Sequence, residues 1–102
     1  MDCSDWLTFT AEVWLWPGES PWHFVSLPVE VAEDIRTRAG DLSPGFGTVP
    51  VEVRGPGVRW ATSVFPDKES GTYLLPLKQQ VRRQLGCVEG SSLTLDLRPR
   101  HD

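Results

Sequence analysis

The sequence predicts a mostly-β fold: a small closed or split barrel of six or seven short strands with two short capping helices. Three observations point there. Short apolar runs with period-two alternation recur along the chain, separated by Gly- and Pro-rich turns. Only two stretches carry helical signals, and both are short. Phe24-Val25-Ser26-Leu27-Pro28-Val29 is echoed 48 residues later by Thr72-Tyr73-Leu74-Leu75-Pro76-Leu77, a shared strand–Leu-Pro–aliphatic–helix plan. Two such units can pack as pseudo-symmetric halves, each plugging one end of a barrel with its helix.

The elements follow in order. In Trp6–Trp16, Phe9, Ala11, Val13 and Leu15 point one way, with Thr8, Thr10 and Glu12 opposite. Trp14 and Trp16 share the polar side, so both faces are covered near the strand's end or these rings line a groove. Residues 17–21 read as a turn, and Trp22–Leu27 as a second strand. Pro28 at the first helical position opens a helix over Val29–Arg38, with Val29, Ala32 and Ile35 as its buried stripe and Gly40 as its stop. Its acids lie toward the start and its arginines at the end, which suits the helix dipole. After a loop over 41–47, Val49–Arg54 and Val58–Phe65 form a hairpin around Gly55-Pro56-Gly57. Thr72–Leu75 is a further strand, and Leu77–Leu85 a second helix opened by Pro76 and closed by Gly86. Ser92–Leu97 is the last strand, and 98–102 a tail. One domain spans 1–102, its core about 6–97.

Charge narrows the function classes. The net charge is −4, which gives no global pull toward nucleic acid or anionic lipid. Residues 1–51 carry eight acids and two bases, whereas 52–102 carry six acids and eight bases. A basic face in the second half is one reading, and scattered solvated charge the other. Cys3 and Cys87 form no CxxC pair and no disulfide scaffold. The acidic N-terminus, with no leader-length or membrane-length apolar run behind it, predicts a cytoplasmic protein without membrane association. Eight Arg against two Lys, with no Asn, suggest a GC-rich bacterial genome.

Catalytic and metal motifs are missing. No HExxH, CxxC or paired-His spacing offers a metal site, and no phosphate-binding loop is present. Gly45-Phe46-Gly47-Thr48-Val49-Pro50 starts like a dinucleotide loop but leads into a strand. His23 is the one expected ordered imidazole; a dyad with Cys87 competes with a small buried thiol. Neither cofactor nor metal is predicted. Lys78 breaks a local rule, because a cation in the first turn opposes the helix dipole. With Arg82 one turn on, Lys68 in the preceding loop and the backbone N–H groups after Pro76, it would hold a phosphate or carboxylate. The plain alternative is a solvated face with Lys78 paired to Glu69 or Asp67. Trp22 and Phe24 share one face, with His23 on the other. Trp22 and Tyr73 are either core or stacking surfaces beside that edge, and Trp60 is read as core.

Trp22-His23-Phe24-Val25-Ser26-Leu27-Pro28, Val49-Pro50-Val51-Glu52-Val53, Ser63-Val64-Phe65-Pro66, Gly71–Lys78, Val81-Arg82-Arg83 and Glu89–Leu95 together resemble the bacterial domain-of-unknown-function family nineteen-oh-five. The resemblance runs from about Phe9 to Leu97. It implies a double-split β-barrel with helices at its ends, similar to the AbrB, MazE and MraZ superfold. It carries over no activity, cofactor or catalytic residue. Some members are joined to a domain resembling bacteriocin-protection proteins. AbrB and MazE relatives bind DNA as dimers, but fold does not transfer function, and this chain is acidic without a basic N-terminal stretch. Gly90-Ser91 stands where the family commonly has Gly-Asp.

The expected function is therefore a non-enzymatic binding module, monomeric or homodimeric. Its ligand is a small anion or a protein partner, met by Lys78, Arg82, Lys68, Trp22 and Tyr73. DNA binding by a homodimer is the alternative, and an enzyme with an unrecognised carboxylate or Cys87 centre the third reading.

Overall fold

A computed structural model describes residues 6–17, 22–38, 47–67 and 69–100. Their elements are β1 (Leu7–Trp16), β2 (Trp22–Ser26), α1 (Val29–Arg38), β3 (Val49–Gly55), β4 (Val58–Asp67), β5 (Thr72–Leu77), α2 (Gln79–Leu85) and β6 (Ser92–Pro99). The six strands close into an antiparallel barrel in the order β1-β2-β5-β4-β3-β6. In the closed ring every strand has a neighbour on each side. Two strands of ten residues make the closure. β1 pairs with β6 over Leu7–Glu12 and with β2 over Val13–Trp16. β4 likewise pairs with β3 over Val58–Val64 and with β5 over Phe65–Asp67.

The internal echo has a geometric counterpart. Ser26 lies opposite Leu74, and Val51 opposite Pro99; each pair is separated by 48 residues (74 − 26 and 99 − 51). Equivalent residues meeting across an antiparallel pair is what a local twofold axis requires. Each half thus runs long strand, short strand, helix, strand.

Alternation fills the barrel. Val13, Val25, Val51, Val53, Val64, Leu75, Leu95 and Leu97 are buried to within 1% of complete exclusion from water. Phe9, Tyr73 and Leu77 join the same cluster, and Trp60 packs against it. α1 contributes Val31, Ala32 and Ile35, and its ladder starts where the Ala32 N–H donates to the Pro28 carbonyl at 2.9 Å. α2 contributes Val81 and a well-formed stop. Gly86 is left-handed (φ 67°), its N–H donates to Arg83, and the Cys87 N–H donates to Arg82. That is a Schellman closure with the buried Cys87 as its apolar residue. Gly55 lies close under this helix: a Cβ there would stand 2.9 Å from the ends of Leu85 and Leu95.

Several expectations are corrected. Val29 is 54% exposed, and Val31 takes its place in the buried stripe. Val29 shares its helical face with the exposed Glu33 and Arg36, three to four residues apart per turn. Pro28 lies one position outside the helix, not at its first residue. Pro76 does not open α2 either: β5 continues to Leu77, Lys78 is the N-cap, and the helix begins at Gln79. The physical reason lies in the pairing. At Pro76, β5 has only β2 beside it, so the missing N–H breaks no bond on the other side. Pro66 and Pro99 also occupy stretches paired on a single side. Residues 98–100 are not a loose tail. Arg98 and Pro99 extend β6 along β3, and the Arg100 N–H donates to the Pro50 carbonyl at 2.9 Å. The expected turn residues 18–21, Gly40, most of the 41–47 loop, Lys68, Cys3 and residues 101–102 lie outside the described residues.

Candidate functional site

The barrel wall presents two chemically different outer faces. Over β1, β6, β3 and β4 the outward residues are polar and paired. Thr8 donates to Asp96 Oδ1 at 2.6 Å, and Arg54 Nε to Asp96 Oδ2 at 2.7 Å. Arg59 Nε donates to Glu52 Oε2 at 2.6 Å, while Arg98 reaches Glu52 Oε1 at 3.0 Å. The Arg54 and Arg98 guanidinium groups lie 4.2 and 4.3 Å from the Trp6 ring centroid. The hydrogen bonds from Arg59 and Arg98 hold the Glu52 carboxyl below its ordinary range. Those from Thr8 and Arg54 do the same for Asp96. Three of the second-half arginines are thus gathered on one face, interleaved with two carboxylates.

Over the end of β1 and across β2, β5 and β4, the outward residues are aromatic. The β1–β2 register sets Trp14 beside Phe24 and Trp16 beside Trp22. Phe65 faces Leu74 across β4 and β5. Phe24 sits among the rings, 5.5 Å from Trp14, 5.9 Å from Trp16 and 5.7 Å from Phe65 between centroids. The Trp14 indole N–H donates to Ser26 Oγ at 2.9 Å, which fixes that ring. A cavity of about 330 Å³ opens here, bounded by Trp16, Trp22, Phe24, Phe65 and Leu74 with Pro66 and Asp67. Phe24 and Leu74 are buried at its base, yet neither belongs to the barrel's interior cluster. Trp16 and Trp22 stay 44% and 57% exposed. Asp67 is held by the β4–β5 turn, where Ser70 Oγ donates to its Oδ2 at 2.8 Å and the Gly71 N–H to its carbonyl at 2.9 Å.

The expected site residues separate. Trp22 stands exposed at the groove rather than in the core, and Trp16 lines the groove beside it. Tyr73 points the other way, into the core, with the Arg36 guanidinium 5.8 Å from its ring centroid. Lys78 is exposed at the α2 N-cap, without a side-chain capping bond. Arg82 Nε donates back to the Leu77 carbonyl at 3.3 Å. The N–H groups after Pro76 begin with Leu77, which is still strand, paired with His23. Lys68 lies outside the described residues. The sequence marks neither Phe65 nor Leu74 as a site residue, and offers Asp67 only as a partner for Lys78. Their signal is Trp16 on the polar side of its strand and Trp22 sharing a face with Phe24, at either end of the predicted turn.

His23 and Cys87 both lie in surroundings that disfavour their charged forms. His23 Nδ1 is buried without a hydrogen-bond partner. Its pKa is lowered by burial first and by the Arg82 charge second. Burial pushes the Cys87 thiol up, away from the reactive thiolate. Among the described residues no group of three His, Cys, Asp or Glu side chains is placed to hold a metal ion. No helix among them is long and apolar enough to cross a membrane.

Residues 9–97 match the model of the family described as "Domain of unknown function (DUF1905)". The chain belongs to this family. The match begins at Phe9, inside β1, and ends at Leu97, inside β6, so this DUF1905 domain contains all of the aromatic groove. No curated protein matches the sequence.

Proposed function

We propose that this domain is a small ligand-binding barrel whose site is the aromatic groove on its outer wall. One observation carries the reading: Trp16 and Trp22 stay half exposed around an apolar cavity while the barrel interior beneath is filled with aliphatic side chains. Rings left in water on a small domain lose the burial term that would justify them in packing alone, about 25 cal/mol per Å². Concave apolar surfaces with few polar groups are where small molecules bind. The groove performs no bond chemistry in this reading, and its aromatic residues serve shape and orientation. The test is a fragment titration followed on the tryptophan indole N–H resonances. Binding is expected to move the Trp16 and Trp22 signals and to vanish in Trp22→Ala at unchanged melting temperature. Shifts confined to Trp6 or Trp60 would contradict it.

A second reading, an anion held by Lys78 and Arg82, is favoured by the absence of any acidic residue in the first turn of α2. Lys78→Ala then leaves folding intact or slightly improved and weakens phosphate binding; a loss of several kcal/mol of stability would make Lys78 structural instead. The divided pairing of β1 and β4 supports describing the barrel as double-split, the AbrB and MazE arrangement. Homodimeric DNA binding by such a barrel has less support, because Arg54, Arg59 and Arg98 are already paired with Glu52 and Asp96. A duplex affinity falling steeply with salt would revive it.

A further inference from the structure

We propose that the groove is an aromatic cage for a small metabolite carrying a quaternary ammonium head, an inference that rests on the groove being a ligand site. The ring geometry supplies the cage. Phe24 forms the base, Trp16 meets it at 73° and Phe65 at 85°. Trp16 comes from β1 and Phe65 from β4, so the two rings approach Phe24 from opposite flanks of β2 on the same outer face. Rings set steeply around a base expose faces to a common space, and each face carries a negative quadrupole field. Such a space prefers a cation over a neutral group of the same shape.

The charges agree with this. Among the described residues that bound the cavity, Asp67 is the single ionisable one. Ser70 fixes its carboxylate at the Phe65 end of the groove, because Asp67 lies two residues beyond Phe65 on the same strand face. Lys78 lies at the far end of β5 from Thr72, the partner of Asp67, roughly 20 Å away at strand spacing. The chain's net charge of −4 favours encounter with cations at long range.

The walls also select among cations. A primary ammonium brings three donors and needs an acceptor for each. The described walls are hydrocarbon with the Asp67 carboxylate at one end, and would leave donors unpaired at a cost. A fully methylated ammonium has no donors and presents only polarised methyl groups to the rings.

The experiment titrates the protein with choline and with its uncharged isostere 3,3-dimethylbutan-1-ol, reading the Trp16 and Trp22 indole signals. Choline is expected to bind about three- to thirtyfold more tightly than the alcohol, the range cation–π contacts span. Asp67→Asn should weaken choline about two- to fivefold and leave the alcohol unchanged; the alcohol doubles as a control that the variant keeps its groove. Equal affinity for the two compounds overturns the cation assignment while leaving the groove as an apolar site. No response of Trp16 or Trp22 to either compound overturns both.

Discussion

His23 and Cys87 show how position governs side-chain chemistry. The imidazole lies inward between Leu15 and Leu77, with its Nδ1 shielded from water. Protonation there is disfavoured by burial and by the nearby Arg82 charge. In the unfolded chain His23 takes up a proton near the ordinary 6.5, and in the folded protein only at lower pH. Stability from this group is therefore complete above pH 6.5 and declines as pH falls toward the folded value. Urea midpoints should drop between pH 7.5 and 5.5, and His23→Asn should flatten that part of the profile; an unchanged profile would show that burial does not act on His23. For Cys87, the raised pKa and burial predict a thiol that resists alkylation in the native state. In a Cys3→Ser background, iodoacetamide should label Cys87 only at the rate of unfolding, and fast native labelling would reinstate it as a reactive centre.

At the level of elements, α1 and α2 show what a local pattern can and cannot specify. The apolar residues of α1 allow two stripes, one with Val29 and one with Val31. Spacing from Ile35 admits either, and only docking on the barrel end chooses Val31. Val29→Glu should therefore change stability by less than about 0.5 kcal/mol. Val31→Ala should lower it by about 1–3 kcal/mol, as loss of buried methyl groups does. Thermal or urea unfolding of the two variants separates the stripes, and a reversed order would put Val29 on the buried face in place of Val31. The proline before α2 was ambiguous for a related reason. A Leu-Pro step is suited both to a helix start and to a strand paired on one side. Which applies at Pro76 depends on where β4 stops pairing with β5, a tertiary fact. The C-terminal stop at Gly86 needed no such information, because a left-handed residue after a helix is a local requirement.

Across the whole molecule, the barrel was legible in the sequence because its inner face obeys strict alternation: Phe9 and Val13, Val51 and Val53, Leu95 and Leu97. The twofold was legible in the Leu-Pro echo, since equivalent strands lie opposite one another where the halves meet. The groove was half legible. Trp16 shows as a large apolar residue on the polar side of its strand, and Trp22 shares a face with Phe24 beside the same predicted turn. Phe65, Leu74 and Asp67 reach them only once β4 and β5 have closed the ring. The opposite wall is held by charge. Glu52 and Asp96 are ionised more readily in the folded state than in the unfolded chain. Their contribution is thus present above the ordinary carboxylate range and is lost as pH falls through the folded values. Glu52→Gln should lower stability at neutral pH and shallow its decline between about pH 5 and 3, measured by urea unfolding; an unaltered acid limb would show Arg59 and Arg98 to be indifferent partners.

The groove itself is tested most directly by intermolecular nuclear Overhauser effects from the methyl protons of bound choline. Contacts are expected to the ring protons of Trp16, Trp22, Phe24 and Phe65. Contacts to the side chains of Lys78 and Arg82 instead, with the four rings silent, would place the binding surface on the second helix and contradict the reading of this wall as the site.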